Sequence, residues 1–267
     1  MYTFDYQRPA DVAAAARAGS AEDARFLAGG QSLVQAMRLR LSQPSALVDL
    51  GGIAGLAGIQ VSGGTVKIGA MSRHSAVARS AEVGRAIPAL AALAGGIGDP
   101  MVRNSGTIGG SLANADPAAC YPAGVLGLGA TIRTNTRAIA ADDFFKGLFE
   151  TALQPGELIV SVEFPVPKQA AYVKFKQPAS RFAIVGVFVS NGPAGVRVAV
   201  TGAKASAFRW TAAEQALSSK GFAPGSLDGL SIGAADMNAD LHAGADYRAA
   251  LVATLTRRAV AQATGTA

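Results

Sequence analysis

The sequence predicts an α+β fold in two parts, and three observations carry that prediction. Strand-like and helix-like stretches alternate over residues 1–50. Residues 58–68 then add β-rich runs that pair around a glycine turn, and 130–164 add returning strands with a helix between them. Beyond Pro165-Val166-Pro167, three further β-branched runs precede two helical ones and mark a second, smaller α+β unit. With 267 residues and 50% apolar composition, the chain can bury a core in two or three compact units.

Residues 2–6 form a short strand. Pro9 opens a helix that runs through Ala18 and stops at Gly19, since proline's fixed φ suits the first helical turn. Residues 24–28 are a strand leading into Gly29 and Gly30. Ser32 caps the following helix, residues 33–41, whose Leu33, Ala36, Met37, Leu39 and Leu41 supply an apolar face. Residues 47–50 return to strand. This closes a small β-α-β-α-β unit with its glycine loop at a strand-to-helix junction.

The register then changes. Residues 58–61 and 66–68 pair as a hairpin across Ser62-Gly63-Gly64-Thr65. Ser72 caps a helix through Ala78, and residues 88–95 form another; His74 either meets a ligand or stabilises a cap or a local turn. Residues 98–122 read as a long irregular loop, pinned inside the domain by Ile108, Leu112 and Ala113. Strands at 130–133 and 158–164 flank a helix at 141–145. In the second unit, strands at 171–176, 182–190 and 197–202 form a three-stranded antiparallel sheet, followed by helices at 211–218 and 247–263. Residues 221–229 form a surface turn between them.

Composition narrows the function. Met1 to Tyr6 lack a basic region followed by an apolar core, and the apolar stretch at 87–97 is too short to span a bilayer and contains Pro88, Gly95 and Gly96. A soluble cytoplasmic protein without membrane attachment is expected. Cys120 is the sole cysteine, and His74 and His242 are the only histidines. Neither a disulfide nor a cysteine-ligated cluster can form within this chain, and no metal site is expected. The net charge of +6 is dispersed rather than gathered into a basic tract with interleaved aromatics, which argues against nucleic-acid binding.

Two glycine segments carry the chemistry. Ala28-Gly29-Gly30-Gln31-Ser32 lacks the Lys-Ser/Thr pair of a Walker loop and the spaced glycines of a dinucleotide fingerprint. Its backbone N–H groups and the helix that follows can nevertheless hold a pyrophosphate. Arg38 and Arg40 either support that anion or are solvated surface charges. In the segment from Arg103 to Pro117, Thr107 offers a hydroxyl, Gly109 and Gly110 allow close backbone approach, and Asn114 and Asp116 offer polar side chains. Asp116 suits a sugar or ribityl hydroxyl, or else an Asx turn before Pro117.

Ala28-Gly29-Gly30-Gln31-Ser32 with Met37-Arg38-Leu39-Arg40 resembles the first flavin loop of the medium subunit in molybdenum hydroxylases of the carbon monoxide dehydrogenase and xanthine dehydrogenase superfamily. Thr107-Ile108-Gly109-Gly110 and Ala113-Asn114-Ala115-Asp116-Pro117 resemble its second loop. Residues 171–175 and 182–185 match the style of its small C-terminal domain. The resemblance implies a two-subdomain FAD-binding domain of the vanillyl-alcohol-oxidase-like (PCMH) type at 1–167, divided into about 1–55 and 56–167, then a C-terminal domain at 168–267. It implies FAD held by Ala28, Gly29, Gly30, Gln31, Ser32, Thr107, Gly109 and Gly110 around the pyrophosphate, and by Asn114 and Asp116 nearer the ribityl chain. Lys174 either approaches the flavin side or is a strand-edge charge.

The same resemblance implies a small [2Fe–2S] subunit and a large molybdopterin-binding subunit as partners, assembled as a dimer of heterotrimers. This chain would pass electrons from the iron–sulfur partner through FAD to an external acceptor, with no side-chain acid or base required. Two positions depart from the pattern. Cys120 stands where an aspartate is common, and Arg181-Phe182 stands where an Asp–Tyr pair is common. The competing readings are a stand-alone flavin dehydrogenase or oxidase and a cofactor-free scaffold subunit.

Overall fold

The computed structural model describes residues 1–266. The expected β-α-β-α-β unit is present: β1 (Asp5–Gln7), α1 (Val12–Gly19), β2 (Ala24–Leu27), α2 (Leu33–Arg38) and β3 (Ala46–Asp49), with a parallel sheet ordered β1-β3-β2. Its helix ends differ from expectation. Asp11, not Pro9, starts α1, because its carboxylate accepts from the Ala14 amide at 2.7 Å and satisfies a donor that the first turn leaves orphaned. Ser32 occupies the N-cap position of α2 without making a side-chain cap bond. That helix ends at Arg38 rather than Leu41, since Arg40 turns left-handed at φ 61° and the Leu41 amide reaches back to Ala36 O at 2.8 Å. Leu39 and Leu41 consequently point outward, 70% and 79% exposed, instead of lining a helix face.

The next unit begins with the hairpin of β4 (Ile59–Ser62) and β5 (Thr65–Gly69), whose Gly63 and Gly64 both take positive φ. Ser72 does not cap the helix after it; its hydroxyl pairs with the Gly58 amide and carbonyl at 3.0 and 3.1 Å. Three short helices come next: α3 (His74–Arg79), α4 (Ala81–Ala86) and α5 (Pro88–Gly95). The second of these was not expected from the sequence, although Ser80 caps it by accepting from Val83 N at 3.2 Å.

Residues 98–122 are the main correction: they are helical, not irregular. They contain α6 (Pro100–Ser105), α7 (Ile108–Asn114) and the start of α8 (Cys120–Leu128). Asp99 caps the first by accepting from Val102 N, with Pro100 at its opening position. Thr107 caps the second by accepting from Gly110 N. Every residue of α8 is buried, so it shows no amphipathic period for the sequence to reveal. Tertiary burial outweighs the poor helix propensity of Pro122, Gly124 and Gly127.

β6 (Thr131–Thr134), β7 (Ala138–Ala140), α9 (Ala141–Phe144), β8 (Phe145–Gly147), β9 (Glu150–Thr151) and β10 (Ile159–Pro165) complete this part, with β8 and β9 as a separate hairpin. The main sheet is antiparallel in the order β4-β5-β10-β6-β7. The β6–β7 turn is tied to the approach to β10 by Glu157, whose side chain is 3% exposed and accepts from Arg137, Thr134, Thr136 and the Gln154 amide. Arg137 foremost, with the two threonines and Gln154 assisting against burial, lowers this carboxyl from 4.5 to about 2. Its contribution to stability is therefore present above pH 4.5 and fades as pH falls towards 2. Glu157→Gln is expected to lower stability by about 2 kcal/mol at neutral pH, by weakening several bonds at once. Urea denaturation checks this, and an unchanged midpoint would refute it.

The last part is a sheet ordered β11-β12-β13-β14, built from β11 (Gln169–Lys176), β12 (Ala183–Gly192), β13 (Gly195–Thr201) and β14 (Phe208–Arg209). The three long strands are the expected antiparallel ones, and β14 adds a short fourth edge. Two helices, α10 (Thr211–Lys220) and α11 (Ala245–Thr264), follow. Leu251, Val252, Leu255 and Ala259 of α11 bury themselves against Val185, Val187, Val198 and Val200. On the opposite side of this sheet, Phe188 joins the core that contains α8. The buried α8 is thus packed between the middle and C-terminal sheets.

Candidate functional site

The first glycine loop lies where β2 ends and α2 begins. Strand pairing stops at Leu27 opposite Asp49, and Gly30 then takes φ 70°, which turns the chain into the helix. Among the described residues, the backbone N–H groups of Gly29, Gly30, Gln31 and Ser32 donate to no other protein atom. Four consecutive unpaired amides, half-buried except at Ser32, leave donors for an anionic or strongly accepting group.

The second segment folds against the first. A β-carbon on Gly29 would come within 2.2 Å of Ser105 O and 2.8 Å of Gly106 Cα, and one on Gly110 would come within 3.4 Å of Ala28 Cβ. A third stretch backs them both. His74 N donates to Gly106 O at 2.9 Å, Ile108 N to Ser72 O at 3.1 Å and Gly109 N to Ala70 O at 2.8 Å. Gly109 has no room for a side chain because Ala70 Cβ would lie 2.6 Å away.

These contacts add structural roles to those read from the sequence. The amides of Gly109 and Gly110 are occupied, by Ala70 O and Thr107 Oγ1 respectively, so these glycines serve helix packing and capping. Thr107 is buried, and its oxygen holds the first turn of α7. Asn114 ends that helix, Ala115 turns left-handed at φ 47°, and Asp116 Oδ1 accepts from Ala118 N at 2.8 Å in an Asx turn. Arg103 donates to Ile97 O and Gly98 O, fixing the turn between α5 and α6.

Lys174, projecting from β11, reaches this region from the C-terminal sheet. Its Nζ donates to Gly96 O at 2.7 Å and Arg181 O at 2.8 Å, and lies 3.5 Å from Cys120 Sγ. The ammonium's three donors are thereby all directed at protein atoms. Cys120 is buried at the first position of α8. Arg181 is exposed and takes φ 64°, so the two departures from the flavin-subunit pattern meet at a single lysine. Arg40 stands apart, 5.6 Å over the Tyr2 ring.

His74 is another group for which the sequence leaves more than one role open. It is 5% exposed, its Nδ1 has no partner, and its ring lies 5.4 Å from that of Tyr121. A β-carbon at Gly106 would fall 2.5 Å from its Nε2, so the imidazole directly supports the second loop. Burial first, and the Arg103 charge second, lower its pKa from 6.5 to about 4 and leave it neutral at pH 7. Burial also raises the Tyr121 and Tyr172 hydroxyls well above the ordinary tyrosine range. A cavity of about 440 Å³ opens elsewhere, between α1 and the turns bearing Asn135 and Glu157, and none of the expected cofactor residues lines it.

The family model described as the FAD binding domain in molybdopterin dehydrogenase matches residues 2–167. The nicotine 6-hydroxylase medium subunit of Paenarthrobacter nicotinovorans is 35% identical over 255 residues, covering 91% of this chain and 90% of that protein. The carbon monoxide dehydrogenase medium chain of Hydrogenophaga pseudoflava is 33% identical over 274 residues, covering 96% of each. Among solved structures, reconstituted CO dehydrogenase from Oligotropha carboxidovorans matches with a TM-score of 0.91 and 32% identity, over 100% of this chain and 99% of that one. A paired-loop site within likenesses that span nearly the whole length places the chain in one family: it belongs to the FAD-binding medium subunits of the molybdenum hydroxylases.

Proposed function

We propose that this chain is the electron-transfer subunit of a heterotrimeric molybdenum hydroxylase, receiving electrons from a small [2Fe–2S] subunit and passing them to an external acceptor. The row of unpaired amides from Gly29 to Ser32, clamped beside the second loop, is the observation that carries this reading. Those N–H groups would hold the FAD pyrophosphate. Ala28, Thr107, Gly109 and Gly110 fix the spacing of the two loops around it. Asp116 spends one carboxylate oxygen on its own turn and keeps the other to accept from a ribityl hydroxyl, with Asn114 beside it. Lys174 orders this wall through Gly96, Arg181 and Cys120. Bound FAD supplies the capacity to take up and release electrons, and the chain supplies its position and surroundings.

We further propose a boundary at residue 167, where the family match ends, with subdomains of about 1–55 and 56–167 before it and a C-terminal domain at 168–267 after it. The large partner would carry the molybdopterin, and the complex would be a cytoplasmic dimer of heterotrimers. No helix among the described residues is long and apolar enough to cross a membrane.

The test is purification with the native partners, followed by an absorption spectrum and cofactor extraction. One FAD per chain is expected; none after careful reconstitution would defeat the assignment and favour a scaffold. Reduction through the iron–sulfur partner is expected to outpace direct reduction of the isolated chain by the organic substrate. The reverse order would favour a stand-alone dehydrogenase.

A further inference from the structure

We propose that Thr201 is a positioning residue for the flavin site, acting from the C-terminal sheet through the segment Pro117–Cys120 on the carboxylate of Asp116. The inference rests on the FAD reading for its functional consequence. Thr201 ends β13, is fully buried, and lies within 2.7 Å of Pro117 O and 2.6 Å of Ala119 O through its Oγ1. A hydroxyl has one proton, so the two carbonyls share it. The adjoining backbone reinforces the grip: Gly202 N donates to Pro117 O at 2.6 Å, and Ala183 N to Ala118 O at 3.3 Å.

The gripped residues are also those that shape the Asp116 turn. Ala118 N donates to Asp116 Oδ1 at 2.8 Å and Ala119 N to Asp116 O at 3.0 Å. The carbonyl face of this short segment is therefore held by the C-terminal sheet, while its amide face holds the aspartate. The residue after Thr201, Gly202, is held by Arg248, 2% exposed on α11, which donates to Ile184 O at 2.6 Å and Gly202 O at 2.9 Å and pairs with Asp240. A continuous set of contacts runs from the C-terminal helix through Gly202, Thr201 and Pro117–Ala119 to the Asp116 carboxylate. A wall held in place before the cofactor arrives spares the ordering that binding would otherwise require.

The experiment compares FAD affinity of the full chain with Thr201→Val, which keeps the volume and removes the hydroxyl, and Thr201→Ser, which keeps the hydroxyl. Fluorescence titration with FAD is paired with hydrogen exchange at the Ala118 and Ala119 amides. The valine variant is expected to bind FAD about tenfold more weakly with faster exchange at both amides, and the serine variant to match wild type. In an Asp116→Ala background, Thr201→Val is expected to cause no further loss, because the effect passes through the carboxylate. Should the valine variant fail to fold, Thr201→Ala is carried through the same cycle. Unchanged affinity in folded hydroxyl-free variants, or full additivity with Asp116→Ala, overturns the role of Thr201. A wild-type chain that takes up no FAD overturns the functional reading itself.

Discussion

Gly109→Ala is expected to lower the thermal midpoint by about 6–12 °C and to weaken FAD binding by about 100-fold, roughly 2.7 kcal/mol. The added β-carbon would lie 2.6 Å from Ala70 Cβ, 2.8 Å from Ala70 O and 3.0 Å from Ala70 Cα. None of these atoms belongs to a side chain that can rotate away, and Ala70 is itself buried. The start of α7 must therefore retreat, stretching the bond from Gly109 N to Ala70 O. Overpacking of this kind costs about 3 kcal/mol. The displaced helix carries Thr107, Gly110 and Asn114 with it, which couples the packing fault to the cofactor loops. Gly84→Ala is the control: Gly84 is inside α4, nothing lies within 4 Å of the added carbon, and a gain of about 0.5–1 kcal/mol is expected. Thermal denaturation of the apoprotein with FAD titration checks both. A Gly109→Ala chain that matches wild type in midpoint and affinity would show that α7 can move freely.

The same residues show where the sequence could be read and where it could not. The loop at Gly29 and Gly30 was legible because a strand precedes it, a helix comes after it, and both signals are local. At Gly109 and Gly110 the glycines are visible in the sequence but their protein contacts are not. They point to close approach by a ligand, and in the fold their amides and missing β-carbons also serve contacts to Ala70, Thr107 and Ala28. Asp99 before Pro100, and Thr107 three residues before Gly110, were usable cap signals within a stretch read as loop. The helix α8 had no such signal, since uniform burial erases the periodicity on which helix recognition depends. Lys174 and Thr201 were less legible still. Their partners are Gly96, Pro117, Ala119 and Cys120, far away in the chain and brought near only by packing of the C-terminal sheet.

Acidification from pH 6.5 to 4 is expected to remove about 3 kcal/mol of stability through His74 alone. The sign is set by the direction of the shift. In the folded chain the imidazole stays neutral down to about pH 4, because it is buried and faces the charge of Arg103; in the unfolded chain it takes up a proton near 6.5. Between those values the unfolded state binds the additional proton, so the folded state loses ground as pH falls, and the loss levels off below 4. Nothing adjacent offsets the charge. Nδ1 has no acceptor, Tyr121 is held in its neutral form by burial, and the backbone bond from His74 N to Gly106 O does not involve the ring. Glu157 weakens the fold in the same direction but in a lower window, from 4.5 towards 2, so the two contributions separate along the pH axis. Urea midpoints measured from pH 7 to 4 should therefore fall in wild type and stay nearly level over that range in His74→Gln. Because the imidazole underlies Gly106, FAD should dissociate over the same interval in wild type, before global unfolding. Equal slopes in the two chains would show that another group carries the acid sensitivity.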